Sequence, residues 1–131
     1  MECRIIFSLF IGFICNVLGG FDTMLNTLIM LVAIDYLTGI LAAIYMQKLS
    51  SAIGYKGIIK KVGIFAIVVL AALIDDCMGN ELIRSITISF YIANEGISIL
   101  ENVGKTGVRY PLKLKNILKQ LRDDNKGDGK K

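Results

Sequence analysis

The sequence predicts an all-α, polytopic membrane protein with three or four short transmembrane helices and a C-terminal amphipathic helix. Hydrophobic residues fill 54% of the 131 positions before 13 glycines are counted, more than a soluble domain of this size uses. Mean hydropathy is +0.61. The charged residues, 20% of the chain, gather into blocks between apolar runs, as they do when lipid replaces water as the solvent. The longer of those runs reach membrane-crossing length.

The first run, Ile5 to Leu18, is short enough to suit a marginal span, an interfacial helix or a signal-peptide core. Glu2 offsets Arg4, and Gly19-Gly20-Phe21-Asp22 reads as a turn rather than a cleavage site, which favours a short membrane helix. From Met24 to Met46 the second run extends about 34 Å at about 1.5 Å per residue, enough to cross a hydrocarbon core of about 30 Å. The third follows Lys60 and Lys61, closes at Asp75 and Asp76, and is lengthened by Gly57-Ile58-Ile59 and by snorkelling lysines. A fourth runs from Leu82 to Leu100. Residues 1–102 are thus expected to form the transmembrane domain, with spans near 5–18, 24–46, 58–75 and 82–100.

Residues 103–131 are expected to form a basic cytoplasmic tail. Pro111 opens an amphipathic helix over 111–122, in which Leu114, Ile117, Leu118 and Leu121 share one face and lysines surround it, a pattern suited to a membrane surface. The polar, glycine-containing end from Asp123 to Lys131 is expected to be disordered. Lys48, Lys56, Lys60 and Lys61 stand between the second and third runs with no acid, so the positive-inside rule puts that segment and the tail in the cytoplasm. The connection holding Asp75, Asp76, Glu81 and Arg84 then lies outside. If the first run also crosses, both termini are cytoplasmic.

A net charge of +4 and a pI near 9.0 raise nucleic acid as a partner, but the basic residues flank apolar runs and few aromatics interleave with them. Anionic lipid headgroups fit better, with Lys48, Lys56, Lys60, Lys61, Lys113, Lys115, Lys119 and Arg122 as the expected contacts. Histidine is absent, and Cys3, Cys15 and Cys77 lack metal-ligand spacing, so no cofactor or metal is expected and the cysteines read as small apolar fillers. Nucleophile, base and orienting group are not legible together, and the chain is not expected to be an enzyme.

Asp35 is the costly residue, because an acid at mid-helix disfavours insertion by about 2.5–3.5 kcal/mol and therefore faces protein or water. With Thr38, Gly39, Ala42 and Ala43 it forms a stripe of small and polar groups along which another helix can approach. The last span carries a matching strip of Thr87, Tyr91, Asn94, Glu95, Ser98 and Asn102. These residues serve either packing within the subunit or an intermolecular, pore-facing role. A single subunit can hide the two faces against each other with a carboxyl protonated, and an assembly can turn them toward water.

The chain resembles the toxin-secretion and phage-lysis proteins of phage holin family 4. Carrying the resemblance are Asp35-Tyr36-Leu37-Thr38-Gly39 with Ala42, Lys48-Leu49-Ser50-Ser51, Gly57-Ile58-Ile59-Lys60-Lys61, the stretch from Phe90 to Asn102, and Gly107-Val108-Arg109-Tyr110-Pro111 with Leu112. It covers about Ile29 to Leu121 and nothing before residue 29. It implies a homo-oligomer in the bacterial cytoplasmic membrane that forms lesions or pores and releases an endolysin, lysing the host, or a large toxin. The alternatives are a small proton-coupled multidrug transporter, whose usual first-helix carboxylate is missing between Ile5 and Leu18, and a membrane adaptor that makes no pore.

Overall fold

The computed structural model describes residues 1–20 and 22–126. It contains five helices, α1 (Glu2–Val17), α2 (Thr23–Tyr45), α3 (Ser51–Met78), α4 (Leu82–Lys105) and α5 (Leu112–Lys126), and no strand among the described residues. Local chemistry sets their ends. Asp22 caps α2 by accepting the Leu25 N–H at 2.9 Å, and Ser50 caps α3 by accepting the Ile53 N–H at 3.2 Å. Helix α3 stops at Gly79, whose left-handed φ of 72° is open to glycine at little cost. The cap of α4 comes from another helix: Asp75 of α3 accepts the N–H groups of Ile83 and Arg84 at 3.0 and 2.7 Å.

Helices α2, α3 and α4 form the bundle. The start of α2 meets the start of α4 through Asp22 and Arg84, and Asp35 of α2 meets Asn102 late in α4, so these two helices run parallel. Helix α3 is antiparallel to both, with Asp75 near its end at the start of α4 and Lys61, earlier, at Glu95. The apolar core is a column of Leu25, Leu28, Val32, Ile64, Val68 and Ile88, joined at its top by Leu18. Along α2 and α3 the inward residues recur every three or four positions, as a single buried helical face requires.

Among the described residues α2 and α3 are the helices long and apolar enough to cross a membrane, with mean hydropathies of 2.1 and 2.3 in their most apolar stretches. Most of their surface faces away from the protein, as suits helices whose solvent is lipid. Helix α1 buries no residue and displays Ile6, Phe7, Leu9 and Phe10 outward.

Several expectations are corrected. Helix α3 begins at Ser51, not near residue 58, because the Ser50 cap starts it inside what reads as a polar loop. Helix α5 continues through Lys126, with the Asn125 amide donating to the Leu121 carbonyl at 2.9 Å, so the expected disorder does not begin at Asp123; residues 127–131 lie outside the described residues. Leu118 seats against Gly96 of α4, while Leu114, Ile117 and Leu121 remain exposed. Cys3 and Cys77 are exposed and fill no space within the subunit.

Gly19 carries a sharp steric requirement. Its φ is +89°, and a Cβ there would come within 2.5 Å of the Arg84 Nε. Gly19→Ala should therefore lower the thermal midpoint in detergent by an amount corresponding to about 1–3 kcal/mol. Gly12→Ala, inside α1 with nothing within 4 Å of the added carbon, should not lower the midpoint and should raise it slightly through helix propensity.

Candidate functional site

Two charged layers bracket the apolar column. In the inner one, Lys61 projects from α3 between α2 and α4, where its ammonium pairs with Asp35 and with both oxygens of Glu95 at 3.1 Å. Asp35 and Glu95 are 5% and 2% exposed, so this is a buried ion cluster rather than a surface pair. Asn102 closes it from α4: its amide donates to the Asp35 Oδ1 at 2.9 Å, to the Asp35 carbonyl at 3.2 Å and to the Thr38 hydroxyl at 3.1 Å. Thr38 in turn donates to the Ile34 carbonyl at 2.8 Å. Among the described residues, every buried side-chain nitrogen and oxygen has a hydrogen-bond partner.

The outer layer is built around Arg84, 8% exposed, on the first turn of α4. Its Nε donates to the Leu18 carbonyl at 2.7 Å, its Nη2 to the Gly20 carbonyl at 2.9 Å, and its Nη1 to Asp22 at 2.8 Å. The guanidinium thus ties the turn after α1 to the start of α2 while Asp75 holds the backbone of the same residue. Arg84 keeps the Asp22 carboxyl below the usual carboxylate range. That pair's contribution to stability is complete above the ordinary value of 3.8 and is lost as pH falls through the lowered one.

The structure brings Asp35, Thr38, Glu95 and Asn102 together and sets Gly39 beside them, where a Cβ would lie 3.5 Å from the Asn102 amide. Ala42 is buried and, with Ser98, lines the cavity next to the cluster. Tyr91 packs on the apolar column instead, edge-on to Phe90, and Asn94 is half-buried on the same helix. Among the residues expected at headgroups, Lys48, Lys56, Lys60, Lys113 and Lys119 are exposed, whereas Lys115 and Arg122 are half-buried on α5. Lys61 departs from that group altogether. It lies within the bundle, paired with both acids, and its single positive charge offsets one of the two carboxylates.

The fold and its site define a small helical membrane protein whose buried charged residues are paired inside a three-helix bundle. The chain belongs to the bacteriophage holin family, whose model matches residues 12–123. That match starts well before Ile29 and takes in the end of α1. A protein called a probable holin in Bacillus phage phi105 is 35% identical over 102 residues, covering 77% of this chain and 76% of its own. An uncharacterized 14.9 kDa protein of Clostridium perfringens is 42% identical over 107 residues, covering 80% and 81%. An uncharacterized protein of Listeria monocytogenes is 42% identical over 101 residues, covering 76% and 72%. No solved structure matches the chain.

Removing one partner of a buried ion cluster strands the others, which typically costs about 3–5 kcal/mol. Lys61→Met should therefore reduce membrane abundance and thermal midpoint strongly. Combining it with Asp35→Asn and Glu95→Gln removes the stranded charges and should restore much of the midpoint. A triple variant no more stable than Lys61→Met would mean that the layer contributes by packing rather than by charge.

Proposed function

We propose that this protein oligomerises in the bacterial cytoplasmic membrane and opens lesions through which an endolysin or a large toxin leaves the cell. It acts by breaching the bilayer, not by catalysis. In this reading α2, α3 and α4 cross the membrane, α1 forms a fourth crossing, and the basic α5 sits at the cytoplasmic side, with anionic lipids and further copies of the chain as partners. The observation carrying the proposal is the buried Asp35–Lys61–Glu95 layer inside a bundle whose outer surface suits lipid. A single subunit with its charges paired inward is tolerated by the bilayer. Subunits that part α4 from α2 expose acids, lysine and amide, which water solvates and lipid does not. The arrangement therefore has a closed state fit for lipid and an open state fit for a hydrated hole.

Topology supplies the first check. A cysteine at Ser51 should be protected from an impermeant thiol reagent outside intact cells, and one at Asn80 should be labelled. The reverse pattern would invert the orientation.

The central test is release of a folded, enzyme-sized marker from liposomes that contain the purified protein and no other. Release should rise steeply with protein density, as assembly requires. Asp35→Asn should alter the time or extent of release at equal abundance, and Gly39→Leu, which obstructs close approach at Asn102, should act more severely. Marker retention in vesicles that yield crosslinked oligomers would defeat the proposal, as would release that tracks abundance in every variant.

A further inference from the structure

A cavity of about 550 Å³ lies beside the inner charged layer, between α2, the early part of α3 and the end of α4. Its size falls in the range of small-molecule sites, about 300–1,000 Å³. Small residues hold it open: Gly39 and Ala43 on α2 face Gly54 and Gly57 on α3, and these helices touch here where Tyr36 lies over the two α3 glycines. Lys48, Lys60 and Lys105 line it, and none of the three takes part in an ion pair among the described residues. The one acid in its lining, Asp35, is already paired with Lys61. Glu101, a turn before Lys105, does not line it.

We infer that this cavity binds the phosphate-bearing headgroup of an anionic phospholipid, with the three free lysines around the phosphate. Charge identifies an anion. Its apolar walls, Ile40, Met46 and Ile53, identify a lipid rather than free phosphate, because a dissolved ion gains nothing from aliphatic surface and a lipid's glycerol and first acyl carbons do. Bound there, the headgroup bridges α2, α3 and α4 at the end remote from Arg84 and steadies the closed bundle. The inference rests on the membrane reading above, which makes this end of the bundle cytoplasmic, but not on the opening of lesions.

The test uses the full chain, delipidated in a neutral detergent and titrated with phosphatidylglycerol, with phosphatidylcholine of the same acyl chains, or with inorganic phosphate. Retained lipid is read by native mass spectrometry and stability by thermal midpoint. Phosphatidylglycerol should be retained and should raise the midpoint, and the other two ligands should do neither. Lys60→Gln with Lys105→Gln should weaken retention about tenfold, whereas the equally charge-depleted pair Arg4→Gln with Arg109→Gln, outside the cavity, should change it less than about twofold. Ala43→Phe fills the space without altering charge and should abolish retention; should it fail to fold, the comparison of the two charge pairs decides by itself. Equal weakening by both pairs would overturn the inference in favour of diffuse attraction, and a full midpoint shift from inorganic phosphate would overturn it in favour of a free-anion site. Marker release from phosphatidylcholine vesicles reads the lesion proposal separately: no release with phosphatidylglycerol retention intact defeats that proposal and leaves this one standing.

Discussion

A lysine held between two carboxylates is the constraint on which the rest of this bundle depends. Helices in lipid gain little from pressing apolar side chains together, since the acyl chains they displace are equally apolar. The column of Leu25, Leu28, Val32, Ile64, Val68 and Ile88 therefore fills space without choosing a register. Lys61 chooses it. Sliding α3 by one turn, about 5.4 Å, would carry the ammonium out of reach of Asp35 and Glu95 and leave two acids in an apolar surround.

The outer layer supplies the second fixed point. At about 1.5 Å per residue, Arg84 and its partners lie about 20 Å along the helices from the Lys61 cluster, and two polar pins that far apart set rotation and tilt as well as register. The Asp75 carboxylate caps α4 from α3, because it satisfies the Ile83 and Arg84 N–H groups that α4's own N-cap leaves open. The Leu18 and Gly20 carbonyls bind the turn after α1 to the same arginine. Helix α1 is thus anchored through the backbone at its end, although none of its own residues is buried.

Hydropathy and cost made much of this legible in the sequence. Long apolar runs announce α2 and α3, and Asp35 and Glu95 stand out because an acid inside such a run demands a partner. Lys61 was concealed by its neighbour Lys60: two lysines at the edge of a run both read as snorkelling toward headgroups, and periodicity does not reveal that one turns inward. The same reading hid the start of α3, although Ser50 ahead of Ser51 carried the capping signal. Asp75 and Arg84 looked like loop charges because a span's boundary and a polar layer of a bundle have the same composition. Of the stripe Leu114, Ile117, Leu118 and Leu121 that periodicity selects on α5, Leu118 seats against the bare backbone of Gly96 and the other three remain exposed, so the stripe is legible but which of its residues meets α4 is not.

In the proposed reading, helix α4 links the charged layers to opening as well as to folding. Its polar strip makes it a poor span by itself, and α2 and α3 are the helices whose apolar stretches suit lipid unaided. On that proposed reading, insertion of α4 is favoured once Lys61 is in place to receive Glu95, so the α2–α3 hairpin precedes it on energetic grounds. The converse holds for parting. A partial separation leaves Asp35, Lys61 and Glu95 neither paired nor hydrated and is the costliest arrangement, whereas a full separation around a water-filled gap solvates all three. In the proposed reading, intermediate openings are disfavoured relative to both ends, and subunits that share one aqueous gap share the cost of creating it. Such a system stays closed while copies accumulate and opens abruptly, because the barrier lies in admitting the first water to the layer and not in enlarging a gap that already holds it.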